Sequence, residues 1–175
     1  MRAGRQLRWV AGNWKMYKTR GEAVSLIEGI LEGAGDLREG TRLLIFPPAT
    51  ALAEAASRCR GTRLEVGAQN LHPGNEGAFT GEIAARMILD AGATHVLIGH
   101  SERRKIFGEP DELLARKLRQ ALESGLTPVF CLGETLEERD AGRTEAVLRQ
   151  QATQGLGGLG EADVEAMLIA YEPVW

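Results

Sequence analysis

The chain has 175 residues, 43% of them hydrophobic and 26% charged, with 21 Lys and Arg against 24 Asp and Glu and a formal net charge of -3. A chain of this size can bury about 70% of the surface it exposes when unfolded, and the balance excludes disordered, collagen-like and disulfide-scaffold classes. The longest runs without Asp, Glu, Lys or Arg span 11 residues, as in Leu43 to Ala53, against the ~20 apolar residues of a membrane span.

Short apolar runs, often β-branched, alternate with longer amphipathic stretches, the pattern of parallel strands joined by crossover helices in an α/β fold. Strands are expected at Leu7 to Gly12, Thr41 to Phe46, Arg63 to Ala68, His95 to Ile98, Thr127 to Leu132 and Met167 to Tyr171, giving six strands and five crossovers. Glu22 to Gly33 places Val24, Ile27 and Leu31 on one helical face, and Asp111 to Ser124 does the same with Leu114, Leu118 and Leu122. Pro110-Asp111-Glu112 reads as a helix start, and Gly33, Gly35, Gly92 and Gly125 fall where helices should end. No shift in composition marks a linker, so residues 1–175 are expected to form a single domain.

Cys59 and Cys131 match no Cys-x-x-Cys pair and no zinc spacing with His72, His95 or His100, so neither a metal nor a disulfide is expected. The 17 Arg and 4 Lys are scattered among acids, which predicts no nucleic-acid partner. Met1 to Gln6 carries positive charge without an apolar run behind it, which predicts a cytoplasmic chain with no secretory leader. Gly155-Leu156-Gly157-Gly158-Leu159-Gly160 has the glycine spacing of a dinucleotide-binding loop. It is expected to follow a helix and precede a strand, the reverse of the context such a loop requires.

The chemistry-bearing residues cluster where strands should end, the edge at which ligands bind in parallel α/β folds. The first strand runs into Gly12-Asn13-Trp14-Lys15-Met16, which sets an amide and an ammonium just past it. The fourth runs into Gly99-His100-Ser101-Glu102-Arg103-Arg104, an imidazole at the start of a helix-compatible turn, where the positive end of the dipole favours the neutral ring. The sixth ends Tyr171-Glu172-Pro173-Val174-Trp175, a carboxylate at an apolar mouth. Projected into one mouth, these groups suit proton abstraction next to a carbonyl: the carboxylate takes the proton while the other two stabilise the enediolate oxygen.

Six motifs in order carry a resemblance along the whole length: Gly12-Asn13-Trp14-Lys15-Met16, Gln69-Asn70, Gly77-Ala78-Phe79-Thr80-Gly81-Glu82, Ile98-Gly99-His100-Ser101-Glu102-Arg103-Arg104, Cys131-Leu132-Gly133-Glu134 and Tyr171-Glu172-Pro173-Val174-Trp175. The chain resembles the triosephosphate isomerase family. The resemblance implies a TIM (β/α)8 barrel and interconversion of dihydroxyacetone phosphate and glyceraldehyde 3-phosphate in glycolysis and gluconeogenesis, with no cofactor. It further implies that Glu172 is the base, His100 the electrophile at the carbonyl, Lys15 a catalytic and substrate-binding cation and Asn13 a further substrate contact. A homodimer through the loop around Thr80 is implied, with Ser101, Glu102 and Cys131 in supporting or dimer-contact positions.

The family barrel has eight strands and typically ~250 residues. Strands seven and eight and their phosphate-binding loops have no counterpart in this sequence, and Pro173-Val174-Trp175 resembles only the first hinge of the family's lid. Six strands would leave the first and last as open edges that invite aggregation, so the expectation is a fragment that folds poorly and turns over weakly. An inactive fragment or a noncatalytic dimerising remnant is the alternative reading.

Overall fold

The computed structural model describes residues 8–35, 37–173 and 175. Among the positions singled out above, residues 1–7 and Val174 lie outside the described ones. The strands are β1 (Arg8–Asn13), β2 (Thr41–Phe46), β3 (Leu64–Ala68), β4 (His95–Ile98), β5 (Thr127–Leu132) and β6 (Leu168–Tyr171). Their bounds lie within one residue of the expected ones. The helices are α1 (Arg20–Gly33), α2 (Leu52–Cys59), α3 (Ala85–Asp90), α4 (Ser101–Lys105), α5 (Asp111–Glu123), α6 (Leu136–Asp140), α7 (Thr144–Leu156) and α8 (Glu161–Glu165), with a 3-10 turn at Ala49–Ala51 before α2.

The chain forms two compact units, Met1–Gln69 with Met87–His95, and Asn70–Arg86 with Val96–Trp175. In the first, β1, β2 and β3 lie side by side in parallel, with Val10 opposite Leu43 and Leu43 opposite Leu64. Parallel neighbours cannot be joined by a tight turn, and α1 and α2 supply the crossovers. Leu44, Ile45 and Phe46 are all buried, as the unbroken apolar run of β2 requires when both faces of a strand are covered. Of the face expected on α1, Ile27 is fully buried together with Ala23, whereas Val24 and Leu31 are half-buried. Thr19 starts this helix, its amide donating to Glu22 Oε2 at 2.7 Å and so satisfying a donor that the helix end leaves orphaned.

In the second unit the strand order is β4-β5-β6, with Val129 opposite Leu168 and Leu132 opposite Tyr171 in a parallel pairing. Leu114, Leu118 and Ala121 of α5 are fully buried, each leucine contributing about 1.5–3 kcal/mol through the apolar surface it removes from water. Both α5 and α7 pack on β5. The glycine-rich stretch 155–160 behaves as a connector, with one difference from expectation. It runs from the end of α7 into α8 and only then into β6, so a five-residue helix intervenes before the strand. Gly155 is there for packing, since a Cβ on it would collide with the Phe130 ring. No helix among the described residues is long and apolar enough to cross a membrane.

Candidate active site

Asn13 closes β1 and Lys15 follows it in the first unit. Lys15 has φ of 52°, a left-handed conformation that a residue with a Cβ adopts only at a cost. Two bonds hold it there, and a third anchors one of the partners. The Lys15 amide donates to Asn13 Oδ1 at 3.0 Å, an Asx turn of the kind that lets asparagine organise the backbone two residues on. Gln69 Nε2 donates to Lys15 O and to Phe46 O, both at 2.8 Å. Asn13 and Gln69, both noticed as motif residues, thus fix the peptide that presents the lysine. Strained backbone of this sort concentrates at ligand sites.

His100 and Glu172 belong to the second unit, and the structure brings them together. His100 follows Gly99, whose φ of 78° turns the chain off β4, and it caps α4. Its ring is 6% exposed. Nδ1 accepts the Glu102 amide at 3.3 Å, with Glu102 Oε2 at 3.5 Å from the same nitrogen. With Nδ1 accepting, Nε2 is the donor of a neutral ring, and it lies 3.1 Å from Glu172 Oε2 without the alignment of a hydrogen bond. Glu172 directly follows β6, its amide donating to Leu132 O at 2.8 Å. Its Oε2 is buried yet has no hydrogen-bond partner among the described residues.

Cys131, on β5, is 3% exposed. Burial, and then the Glu172 carboxylate, push its thiol up to about 12, so it is an inert packing group rather than a nucleophile. Ser101 and Glu102 open α4. Thr80 is exposed on the loop between His72 and Ala84, whose ends are joined by His72 N–H donating to Ile83 O at 2.8 Å.

A second constellation escaped the sequence reading. Glu134 is completely buried and accepts from Tyr171 Oη at 3.0 and 3.1 Å, Thr144 Oγ1 at 3.3 Å and Trp175 Nε1 at 3.4 Å. Arg139 lies 3.5 Å from the same carboxylate and 4.5 Å over the Trp175 ring. Burial alone would raise the Glu134 carboxyl, but its own backbone amide together with the Tyr171, Trp175 and Thr144 donors outweighs it and holds the group below the usual carboxylate range. The network ties the segment after β5 to the two aromatic residues that flank Glu172. Among the described residues no group of His, Cys, Asp and Glu is arranged to hold a metal ion.

The profile of the family described as Triosephosphate isomerase matches residues 8–175. The chain belongs to the triosephosphate isomerase family. It is 48% identical to a protein named triosephosphate isomerase from Roseiflexus sp. over 95% of this chain and 65% of that one. Against one from Symbiobacterium thermophilum the figures are 49%, 95% and 64%. The crystal structure of triosephosphate isomerase from Bartonella henselae superposes with a TM-score of 0.88 at 40% identity, covering 96% of this chain and 68% of that one. The fold is accordingly that of the TIM-barrel family, represented by six parallel strands. The chain spans about 65% of the length of the relatives it matches.

Proposed function

We propose that the chain catalyses interconversion of dihydroxyacetone phosphate and glyceraldehyde 3-phosphate, by moving a proton between adjacent carbons through an enediolate. In this reading Glu172 takes the proton, and His100 donates a hydrogen bond from Nε2 to the substrate oxygen on which charge develops. Lys15 binds the anionic substrate and steadies the same charge, and Asn13 both contacts substrate and sets the Lys15 backbone. Thr80 and its loop join two copies into a homodimer, with Ser101 and Glu102 supporting His100 and Cys131 packing behind Glu172. The enzyme would serve glycolysis and gluconeogenesis in the cytoplasm.

One observation supports this reading most: the buried Glu172 Oε2, without a hydrogen-bond partner among the described residues, 3.1 Å from His100 Nε2. A base and an electrophile side by side are what enolisation of a hydroxycarbonyl needs. The test is turnover of glyceraldehyde 3-phosphate by this chain, and by this chain extended with the C-terminal third of the Roseiflexus relative, each as parent and as Glu172→Gln. The expected result is turnover in the extended parent that falls by about 10²–10⁴ in the variant, the usual worth of a general base. Equal turnover in parent and variant would overturn the base assignment. Absence of turnover in both parents, together with mixed dimers on addition of the intact relative, would favour the noncatalytic dimerising reading.

A further inference from the structure

Arg104 is fastened to the end of β4, which leads into His100, and to β5, which pairs with the strand that leads into Glu172. Its Nε donates to Gly99 O at 2.7 Å, and its Nη2 donates to Cys131 O at 3.2 Å. Nη1 pairs with Asp111 Oδ1, at the first turn of α5. The guanidinium also lies 5.8 Å from the centre of the Phe130 ring. Arg104 and Asp111 side chains are only 14% and 13% exposed.

These contacts answer a specific need of the backbone. A strand that leaves its sheet gives up ladder partners, and a buried carbonyl left without a donor costs about 1–3 kcal/mol. Gly99 stands at such a point, one residue past β4, and Cys131 lies one residue before the end of β5, still in register with Ala170 of β6. A guanidinium offers several donors in one rigid plane, so one side chain can satisfy two carbonyls and a carboxylate together; an ammonium on a flexible stem cannot reproduce that spacing. Asp111 supplies the charge that makes a buried guanidinium tolerable.

The consequence falls on the catalytic pair. Gly99 O belongs to the peptide unit whose nitrogen is that of His100, so holding this carbonyl fixes the plane from which the imidazole projects. Cys131 O belongs to the peptide joined to Leu132, and Leu132 O in turn accepts the Glu172 amide at 2.8 Å. We propose that Arg104 is a positioning residue that sets the orientation of the His100 ring and its separation from Glu172, acting through the Gly99 and Cys131 carbonyls. It does not touch the reacting atoms. The inference rests on the isomerase reading for its functional meaning, although its structural content can be tested without turnover.

The experiment is ¹⁵N NMR of histidine-labelled chain, read at the two His100 ring nitrogens, for the parent, Arg104→Lys and Arg104→Met, with the same variants assayed for turnover in the extended chain. The parent should show one tautomer with the proton on Nε2. Arg104→Lys keeps the charge and loses the fork, and should give exchange-broadened or averaged ring signals, with kcat down about 10²-fold and KM changed less than threefold. Added guanidinium ion should partly restore the parent signals in Arg104→Ala, which keeps the proposal testable if Arg104→Met fails to fold. Unchanged His100 signals in folded Arg104→Lys would overturn it, whatever the turnover. Altered signals with no turnover even in the parent would uphold the positioning role and sink the isomerase reading instead.

Discussion

Glu172 Oε2 lies 3.1 Å from His100 Nε2, and among the described residues it accepts no hydrogen bond. Reach is then the property on which proton abstraction depends, because a base displaced by about 1 Å can lose 10²-fold in rate. Glu172→Asp withdraws the carboxylate by one methylene while keeping its charge. In the extended chain this substitution should lower kcat by about 10²-fold with little effect on KM, measured by steady-state turnover of glyceraldehyde 3-phosphate.

Gly133 holds the floor of the same pair. Its amide donates to Gln151 Oε1 at 3.0 Å and its carbonyl accepts from Gln151 Nε2 at 3.1 Å, which binds the end of β5 to α7. A Cβ on Gly133 would run into the Glu172 carbonyl oxygen and come within 2.7 Å of its carbonyl carbon. These are backbone atoms and cannot rotate away. Gly133→Ala should therefore shift Glu172, lowering kcat by at least about 10²-fold and stability by about 1–3 kcal/mol, as read from turnover and urea titration. Gly142→Ala is the contrast for space alone, because its Cβ would meet no atom within 4 Å, although its φ of 68° still adds strain.

The strands were legible because β2, β4 and β5 are nearly unbroken apolar runs, and a strand buried on both faces can be little else. α5 was legible from Leu114 and Leu118, one turn apart and fully buried, although Leu122 of the same expected face is half-buried. α6 and α8 were not, since five residues hold barely more than one turn and carry no periodicity to detect, whereas the equally short α4 was legible as the helix-compatible turn after His100. The left-handed backbone of Lys15 could have been suspected from Asn13, whose side chain often closes a turn two residues on. Glu134 was out of reach. Its principal donor, Tyr171, is 37 residues away in the chain, and nothing local distinguishes a fully buried Glu from a solvated one.

The two thiols make a pH-dependent contribution of definite sign. Burial pushes Cys59 up to about 11 and Cys131 up to about 12 from an ordinary 9.0. Above pH 9 the unfolded chain releases these protons while the folded chain retains them, so the unfolded state gains. The thiol contribution is thus fully present below pH 9 and is lost as pH rises through 11 to 12, at about 1.4 kcal/mol per pH unit per thiol. Stability by urea titration from pH 8 to 10.5 should fall more steeply in the parent than in a Cys59→Ala, Cys131→Ala variant. Alkylation by iodoacetamide at pH 8 should proceed at the rate of opening and not at that of a free thiol.

Lys117 contributes with the opposite sign. It is 2% exposed on α5, donating from Nζ to Glu109 Oε1 and to Asn70 Oδ1, each at 2.7 Å, and Glu109 Oε1 also accepts Arg103 Nε at 2.7 Å. Burial lowers the Lys117 ammonium from its ordinary 10.5, with Glu109 opposing the shift in part. Between the lowered folded value and 10.5 the unfolded chain binds more protons, so this group makes stability rise with pH and withdraws that gain as pH falls. Lys117→Met should abolish the rise and cost about 3–5 kcal/mol, because it strips a cation from a buried carboxylate whose Oε2 already has no partner. Pairing it with Glu109→Gln removes the buried charge that Arg103 alone would then have to balance, and the double variant should recover more than half of that loss in urea titration at pH 7. A double variant as unstable as Lys117→Met alone would show that the lost contact to Asn70, and not the stranded charge, is what destabilises the fold.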